Sequence, residues 1–129
     1  MKHVAAVERE WADFVVNGPT QLPPVDWEES DWSNPPADVL DYQNGFRMVG
    51  DETLDSLLAA DDEVAAATDK LVETVYLDRR HPLPEAPWSE PGATWSARRT
   101  FLHIVAETAQ HAGDAGIIRE TIDGQKSMG

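Results

Sequence analysis

The feature that most constrains the fold of this 129-residue chain is the position of its nine prolines. Five of them lie within 19–36 and the other four lie within 82–91. Because proline lacks the amide proton that a helix interior needs and clashes with the preceding turn, both windows are predicted to be connections. The elements are therefore expected in the proline-free stretches near 2–16, 51–77 and 94–123.

All three stretches repeat apolar residues at the three and four spacing of a helix face. The residues that carry this period are Val4, Val7, Trp11, Phe14 and Val15 in the first stretch, Leu54, Leu57, Leu58, Val64, Ala65, Leu71, Val72 and Val75 in the second, and Phe101, Ile104, Val105, Ala109, Ile117, Ile118 and Ile122 in the third. No run of alternating residues indicates a sheet, so the predicted class is all-α. The third helix is apolar over most of its circumference and is expected to be the central, most buried one.

Residues that start and stop helices support these bounds. Gly18 ends the first helix and Gly124 ends the third, while Asp51 is the expected N-cap of the second. Thr94 or Ser96 can cap the third. One further short helix is expected around 37–43, inside the first proline-rich loop.

Length and composition predict one domain over residues 1–129, with proline-rich loops at 17–50 and 78–93. The chain has no cysteine, which excludes disulfides, thiolate nucleophiles and cysteine-based metal sites, so histidines and carboxylates must hold any metal. With 24 acidic against 10 basic side chains the net charge is −14. This charge disfavours nucleic acids and anionic membranes as partners. Neither a transmembrane span nor a signal segment is apparent, and a soluble, cytoplasmic protein is expected.

The negative charge is concentrated in residues 26–63, which hold 12 acidic side chains and one basic one. Such a run is usually a solvated surface, and the alternative is a rim that attracts cations. The same window contains Trp27 and Trp32. Tryptophans in a loop between helices close the end of a core or contact a ligand, and both interpretations stay open.

A polar ridge on the third predicted helix is the strongest candidate for chemistry. His103, Glu107 and His111 are four residues apart and Asp114 follows three later, so all four lie within about 80° of one another on one stripe. Side chains on such a stripe emerge about 5–6 Å apart, which lets Glu107 and His111 converge on one ion. Their alternative role is a plain i, i+4 pair on a helix surface.

A third ligand has to come from another element, and His3 is the histidine placed to supply it from a helix. It shares a face with Val7 and Phe14, which must pack inward, so His3 should point into the bundle. His3, Glu107 and His111 would leave open positions for water or substrate, as in a catalytic rather than a structural metal site.

Two stretches of the chain resemble a known family. One is the start, KHVAAVEREW, and the other covers residues 95–124, WSARRTFLHIVAETAQHAGDAGIIRETIDG. They resemble the second and last helices of the DinB-like superfamily, within the actinobacterial mini-circle branch related to mycothiol-dependent maleylpyruvate isomerase. The resemblance implies an up-down helix bundle, here apparently without the family's first helix.

The resemblance also implies a site and an activity. In the family the site holds a metal, commonly zinc or nickel. The resemblance implies that His3, Glu107 and His111 are its ligands here and that His103 supports the ligands or packs in the core. The implied function is a metal-dependent thiol transferase or isomerase acting on a small molecule with mycothiol as cosubstrate, and Asp114 is a weak candidate for proton transfer. The alternative is a non-catalytic helical binding module with a degenerate metal site. A missing helix would expose apolar surface, so a homodimer is expected.

Overall fold

The computed structural model describes residues 1–20, 33–84 and 89–126. The elements in these ranges are, in order, α1 (Lys2–Asn17), α2 (Ala37–Asn44), α3 (Leu54–Thr74), β1 (Arg80–Pro82), β2 (Thr94–Ser96) and α4 (Ala97–Asp123). The predicted all-α class is confirmed. Among the described residues, no helix combines the length and the apolar character that crossing a membrane requires.

The helix ends show which start signals operate. The Oγ1 atom of Thr53 accepts a hydrogen bond from the Ser56 amide at 3.1 Å, and the Ser56 Oγ accepts one from the Thr53 amide at 3.0 Å. This reciprocal capping box starts α3, so the prediction of Asp51 as its N-cap is wrong. Of the two predicted caps, Thr94 and Ser96, it is Ser96 that caps α4, and Gly124 ends the helix as predicted, in the left-handed conformation with φ 71°.

Removing the Thr53 side chain tests whether it caps α3. Thr53→Ala should lower the free energy of unfolding by about 1 kcal/mol, because one amide of the first turn loses its acceptor. Chemical denaturation followed by circular dichroism measures the change. Thr53→Ser keeps a hydroxyl acceptor and should stay close to the parent protein, so equal losses in both variants would contradict the capping role.

A short hairpin, which the sequence does not predict, joins α3 to α4. Its strands pair antiparallel with His81 opposite Trp95. Three residues per strand are too few to show an alternating pattern. The Arg98 amide donates to the Leu77 carbonyl at 3.0 Å and the Ala97 amide donates to the Arg79 carbonyl at 2.9 Å. These bonds fix the start of α4 against the chain that leaves α3.

The central helix is α1, which packs against both α3 and α4, while α3 and α4 make only sparse contact with each other. The buried side chains line these two contacts: Ala5, Phe14 and Val15 on α1, Val64 and Thr68 on α3, and Ala97, Thr100 and Ile104 on α4. The prediction that the last helix is the most buried is therefore wrong. One line of α4 faces α1, and five other large apolar residues of α4 are 61–80% exposed: Leu102, Val105, Ile117, Ile118 and Ile122.

An apolar groove of about 440 Å³ separates α3 from α4. Its walls include Val72 of α3 and Phe101, Val105 and Ala109 of α4. Thr68 also lines the groove, and its buried Oγ1 has no hydrogen-bond partner among the described residues.

Charge is distributed unevenly between the two ends of the bundle. α1 and α3 begin at the same end, where Lys2 and Glu52 form an ion pair at 2.7 Å. The acidic residues of this end and of the first half of α3 are Asp51, Glu52, Asp55, Asp61, Asp62 and Glu63. The hairpin end carries the exposed arginines Arg79, Arg80, Arg98 and Arg99. Asp78 pairs with Arg98 at 3.6 Å. The described bundle is thus strongly negative at one end and carries a small positive excess at the other.

Candidate functional site

Glu107 lies between two histidines on one face of α4. Its Oε1 is 3.5 Å from the Nε2 of His103, and its Oε2 is 3.9 Å from the Nε2 of His111. All three side chains are between 23% and 33% exposed, so the face is open to solvent on one side. Asp114 is fully on the surface and has no hydrogen bond or ion pair with any described residue.

His3 of α1 faces the same place from across the helix contact. Its ring centroid is 5.1 Å from that of His111, and the two rings are nearly perpendicular at 89°. The antiparallel packing of α1 on α4 causes this meeting, because the first turn of α1 lies beside the middle of α4. The structure thus brings together the three residues predicted from the sequence, His3, Glu107 and His111.

Electrostatic contacts fix the first turn of α1, which has no side-chain N-cap. The Lys2 ammonium bonds Glu52 and also donates to the Arg47 carbonyl at 3.4 Å. Glu52 accepts a further hydrogen bond from the Val49 amide at 2.8 Å. Two hydrogen bonds hold the pKa of the Glu52 carboxyl below its usual range. The bond from Lys2 has the larger effect and the bond from the Val49 amide has the smaller one. This contact set ties the segment after α2 to the turn that carries His3.

The same tie brings two aromatic rings of the α2 region to His3. Phe46 stacks on the His3 imidazole with centroids 4.2 Å apart, and Tyr42 meets it edge-on at 5.8 Å. Tyr42 and Phe46 also touch each other at 5.2 Å. Neither residue is among those predicted from the sequence. Their four-residue spacing, at the end of the short helix expected at 37–43, is the available signal.

His103 is held between two tryptophans. Its ring lies 4.8 Å from Trp11 and 4.8 Å from Trp95, whose indoles stack on each other at 5.1 Å. The Arg99 guanidinium covers Trp95 at 4.4 Å. Burial is the main cause that lowers the pKa of His103, with Glu107 opposing it and Arg99 adding to it. The His103 ring is therefore mostly neutral at pH 7. It packs beside Glu107 and supports the position of that side chain.

The pKa of His3 is also lowered. Burial is the largest cause, followed by the nearby His111 and the chain's amino terminus, while Glu107 acts in the opposite direction. A lowered pKa keeps the imidazole neutral around pH 7, which is the form that donates a lone pair to a metal ion.

The donor set of the trio has the chemistry that zinc or nickel accepts, two imidazoles and one carboxylate. In their present conformers, however, no group of three or more histidine, aspartate or glutamate side chains in the described ranges is arranged to hold an ion. The Glu107 carboxylate is instead shared between its two histidine neighbours. Trp27 and Trp32, the possible ligand contacts, lie outside the described residues.

Comparison with known proteins supplies one finding. A family model described as Mycothiol-S-transferase matches residues 1–124, which is nearly the whole chain. No curated protein and no solved structure matches the chain significantly. The matched range contains every residue of the His3, Glu107 and His111 trio.

Proposed function

The chain belongs to the mycothiol-S-transferase family, and on this premise we propose that it joins mycothiol, through its sulfur, to a small electrophile at His3, Glu107 and His111. The observation that carries the proposal is the meeting of His3 with His111 from two separate helices. Two histidines and a carboxylate that come from different helices and are partly exposed to solvent can bind a divalent ion and leave room for a substrate.

In this proposal His3, Glu107 and His111 hold zinc or nickel. A divalent ion bound there supplies Lewis acidity, which lowers the pKa of a thiol so that it is deprotonated at neutral pH. The chain's own contribution is to present the His3 imidazole in its neutral form and to keep the three ligands oriented. His103 and the two tryptophans around it position the Glu107 carboxylate, and Asp114, on the same exposed face, passes the thiol proton to solvent.

A second function is favoured by one observation. The described side chains do not converge on an ion in their present conformers. This supports the alternative of a non-catalytic helical module, which binds a small molecule and has lost its metal. The two proposals differ in whether the purified protein carries a metal.

Cobalt substitution tests the thiol-activating role. Adding mycothiol to the cobalt-loaded protein should produce a sulfur-to-cobalt charge-transfer band in the near ultraviolet, because a thiol on the ion is deprotonated and becomes a ligand. The protein contains no cysteine, so it cannot produce that band itself. Absorption spectra recorded during a mycothiol titration measure the effect.

The matched control is the S-methyl thioether of mycothiol, whose sulfur has no proton to lose and which should leave the near-ultraviolet spectrum unchanged. A cobalt site that forms yet gives no band with mycothiol would contradict thiol activation and favour activation of water.

For the assembly, we propose that two copies pair through the groove between α3 and α4. The groove is apolar, and Val72 and Val105 on its walls are 42% and 65% exposed in a single copy. In a two-fold pair with antiparallel helices, the arginines of each hairpin end lie beside the acidic first half of the other copy's α3. This complementarity offsets the repulsion expected between two chains of net charge −14.

A further inference from the structure

Two aromatic side chains beside His3 remain largely uncovered. Tyr42 is 64% exposed and Phe46 is 59% exposed, and the neighbouring Leu40 and Met48 are 38% and 55% exposed. Single exposed apolar residues are ordinary on protein surfaces, whereas a contiguous patch next to convergent polar groups is typical of a ligand site. This patch borders the histidines of the proposed site.

The two rings are held in place rather than free to move. Phe46 has one face on the His3 imidazole, and Tyr42 packs against the edge of both. The Lys2–Glu52 ion pair and the bond from Lys2 to the Arg47 carbonyl fix the chain that follows Phe46. A planar group can therefore stack on rings whose positions are already set, with little ordering cost.

We propose that Tyr42 and Phe46 form the acceptor subsite of the transferase, and that it takes a neutral aromatic electrophile. The inference rests on the proposed function. The surroundings disfavour an anionic acceptor, because residues 41–63 carry seven acidic side chains against one basic side chain. A small molecule fits better than a protein partner, because the rings adjoin the polar trio and come from one short segment, α2 and the turn that follows it.

The reaction with an aryl chloride illustrates the step. The mycothiol sulfur, as thiolate, forms a carbon–sulfur bond to the ring carbon, and the carbon–chlorine bond breaks as chloride leaves with the bonding pair. The thiol proton passes to the solvent. Stacking on Tyr42 and Phe46 holds the ring carbon beside His3 and His111, where the thiolate is proposed to form.

Binding is measured first, with a compound that has no leaving group. Equilibrium dialysis of the full chain against 1,3-dinitrobenzene should show saturable binding, and Phe46→Ala should raise its dissociation constant about tenfold, because an aromatic stacking partner is lost. Tyr42→Ala should also weaken binding. Tyr76→Ala is the matched control, since Tyr76 is 73% exposed at the far end of α3 and should leave binding unchanged.

A loss of fold cannot imitate this result. Phe46→Leu keeps an apolar contact with His3 but removes the ring, and should weaken dinitrobenzene binding while its circular dichroism spectrum stays that of the parent. Unchanged binding in Phe46→Leu and Tyr42→Ala, or equal weakening in Tyr76→Ala, would overturn the subsite.

Kinetics then separate the subsite from the activity. With mycothiol, Phe46→Leu should raise the KM for 1-chloro-2,4-dinitrobenzene several-fold and leave the KM for iodoacetamide, which has no ring, unchanged. Equal KM changes for both electrophiles would contradict the acceptor subsite and would leave the proposed function unaffected. Phe46-dependent dinitrobenzene binding without any thiol transfer in the parent protein would contradict the proposed function and leave the aromatic site standing.

Discussion

His111→Ala is expected to purify with less than about a tenth of the metal that the parent chain carries, because losing one of three protein donors costs most of the affinity for the ion. The parent protein, purified without a histidine tag, should hold about one ion per chain by elemental analysis. Metal present at about 100 times its dissociation constant stabilises a folded protein by about 2.7 kcal/mol. For a domain of this size that corresponds to a rise of roughly 10 °C in Tm. The variant should lose this zinc-dependent rise in Tm.

The control for this experiment is His103→Ala. His103 packs between Trp11 and Trp95, so its removal should lower stability with or without zinc while the metal content stays near one per chain. Equal loss of metal in both variants would show that the wrong histidine has been chosen. No metal in the parent protein after supplementation with zinc and nickel would instead favour the non-catalytic binding module.

The parent chain is expected to sediment as a dimer at micromolar concentration, and Val105→Asp should convert it to a monomer. Val105 lies in the wall of the groove between α3 and α4, with 65% of its surface exposed in one copy. A carboxylate at that position would be buried without a partner in the paired state, a cost of several kcal/mol. Sedimentation velocity measures the change in mass.

Val16→Asp provides the matched control, because Val16 is 42% exposed on α1, outside the groove. It should remain a dimer. Raising the salt concentration should weaken the pair moderately, since the ends of opposite charge contribute through exposed groups. A well-folded monomer for the parent chain would refute pairing, and a dimer that persists in Val105→Asp would place the interface elsewhere.

The helices follow from local chemistry, which is why proline positions and apolar spacing predicted them. Which helix is the most buried does not follow from local chemistry. An apolar circumference predicted α4 as the central helix, yet Ile117, Ile118 and Ile122 are all more than half exposed. Burial depends on which neighbours an element has, and α1, with a narrower apolar stripe, is the helix with two neighbours. A start signal was also misjudged, because Thr53 and Ser56 cap each other more effectively than Asp51 could cap alone.

The two halves of the candidate site differ in how far the sequence predicts them. Glu107 and His111 meet by helix periodicity, and His3 joins them because Val7 and Phe14 set the phase of α1. Their role as metal ligands stays a prediction. Tyr42 and Phe46 could not be placed, since their position depends on how a long connection returns to α1. The Lys2–Glu52 pair fixes that return across 50 residues, and no local pattern encodes it.

The central position of α1 also governs how the molecule comes apart. Since α3 and α4 make only sparse contact with each other, neither keeps a substantial partner once α1 detaches. No two helices can persist as a folded subdomain without α1, so an opening that detaches α1 should unfold the whole bundle. Amide protons in the middle of α1 should then exchange with solvent only through this global opening, and those of α3 and α4 should exchange no more slowly than those of α1.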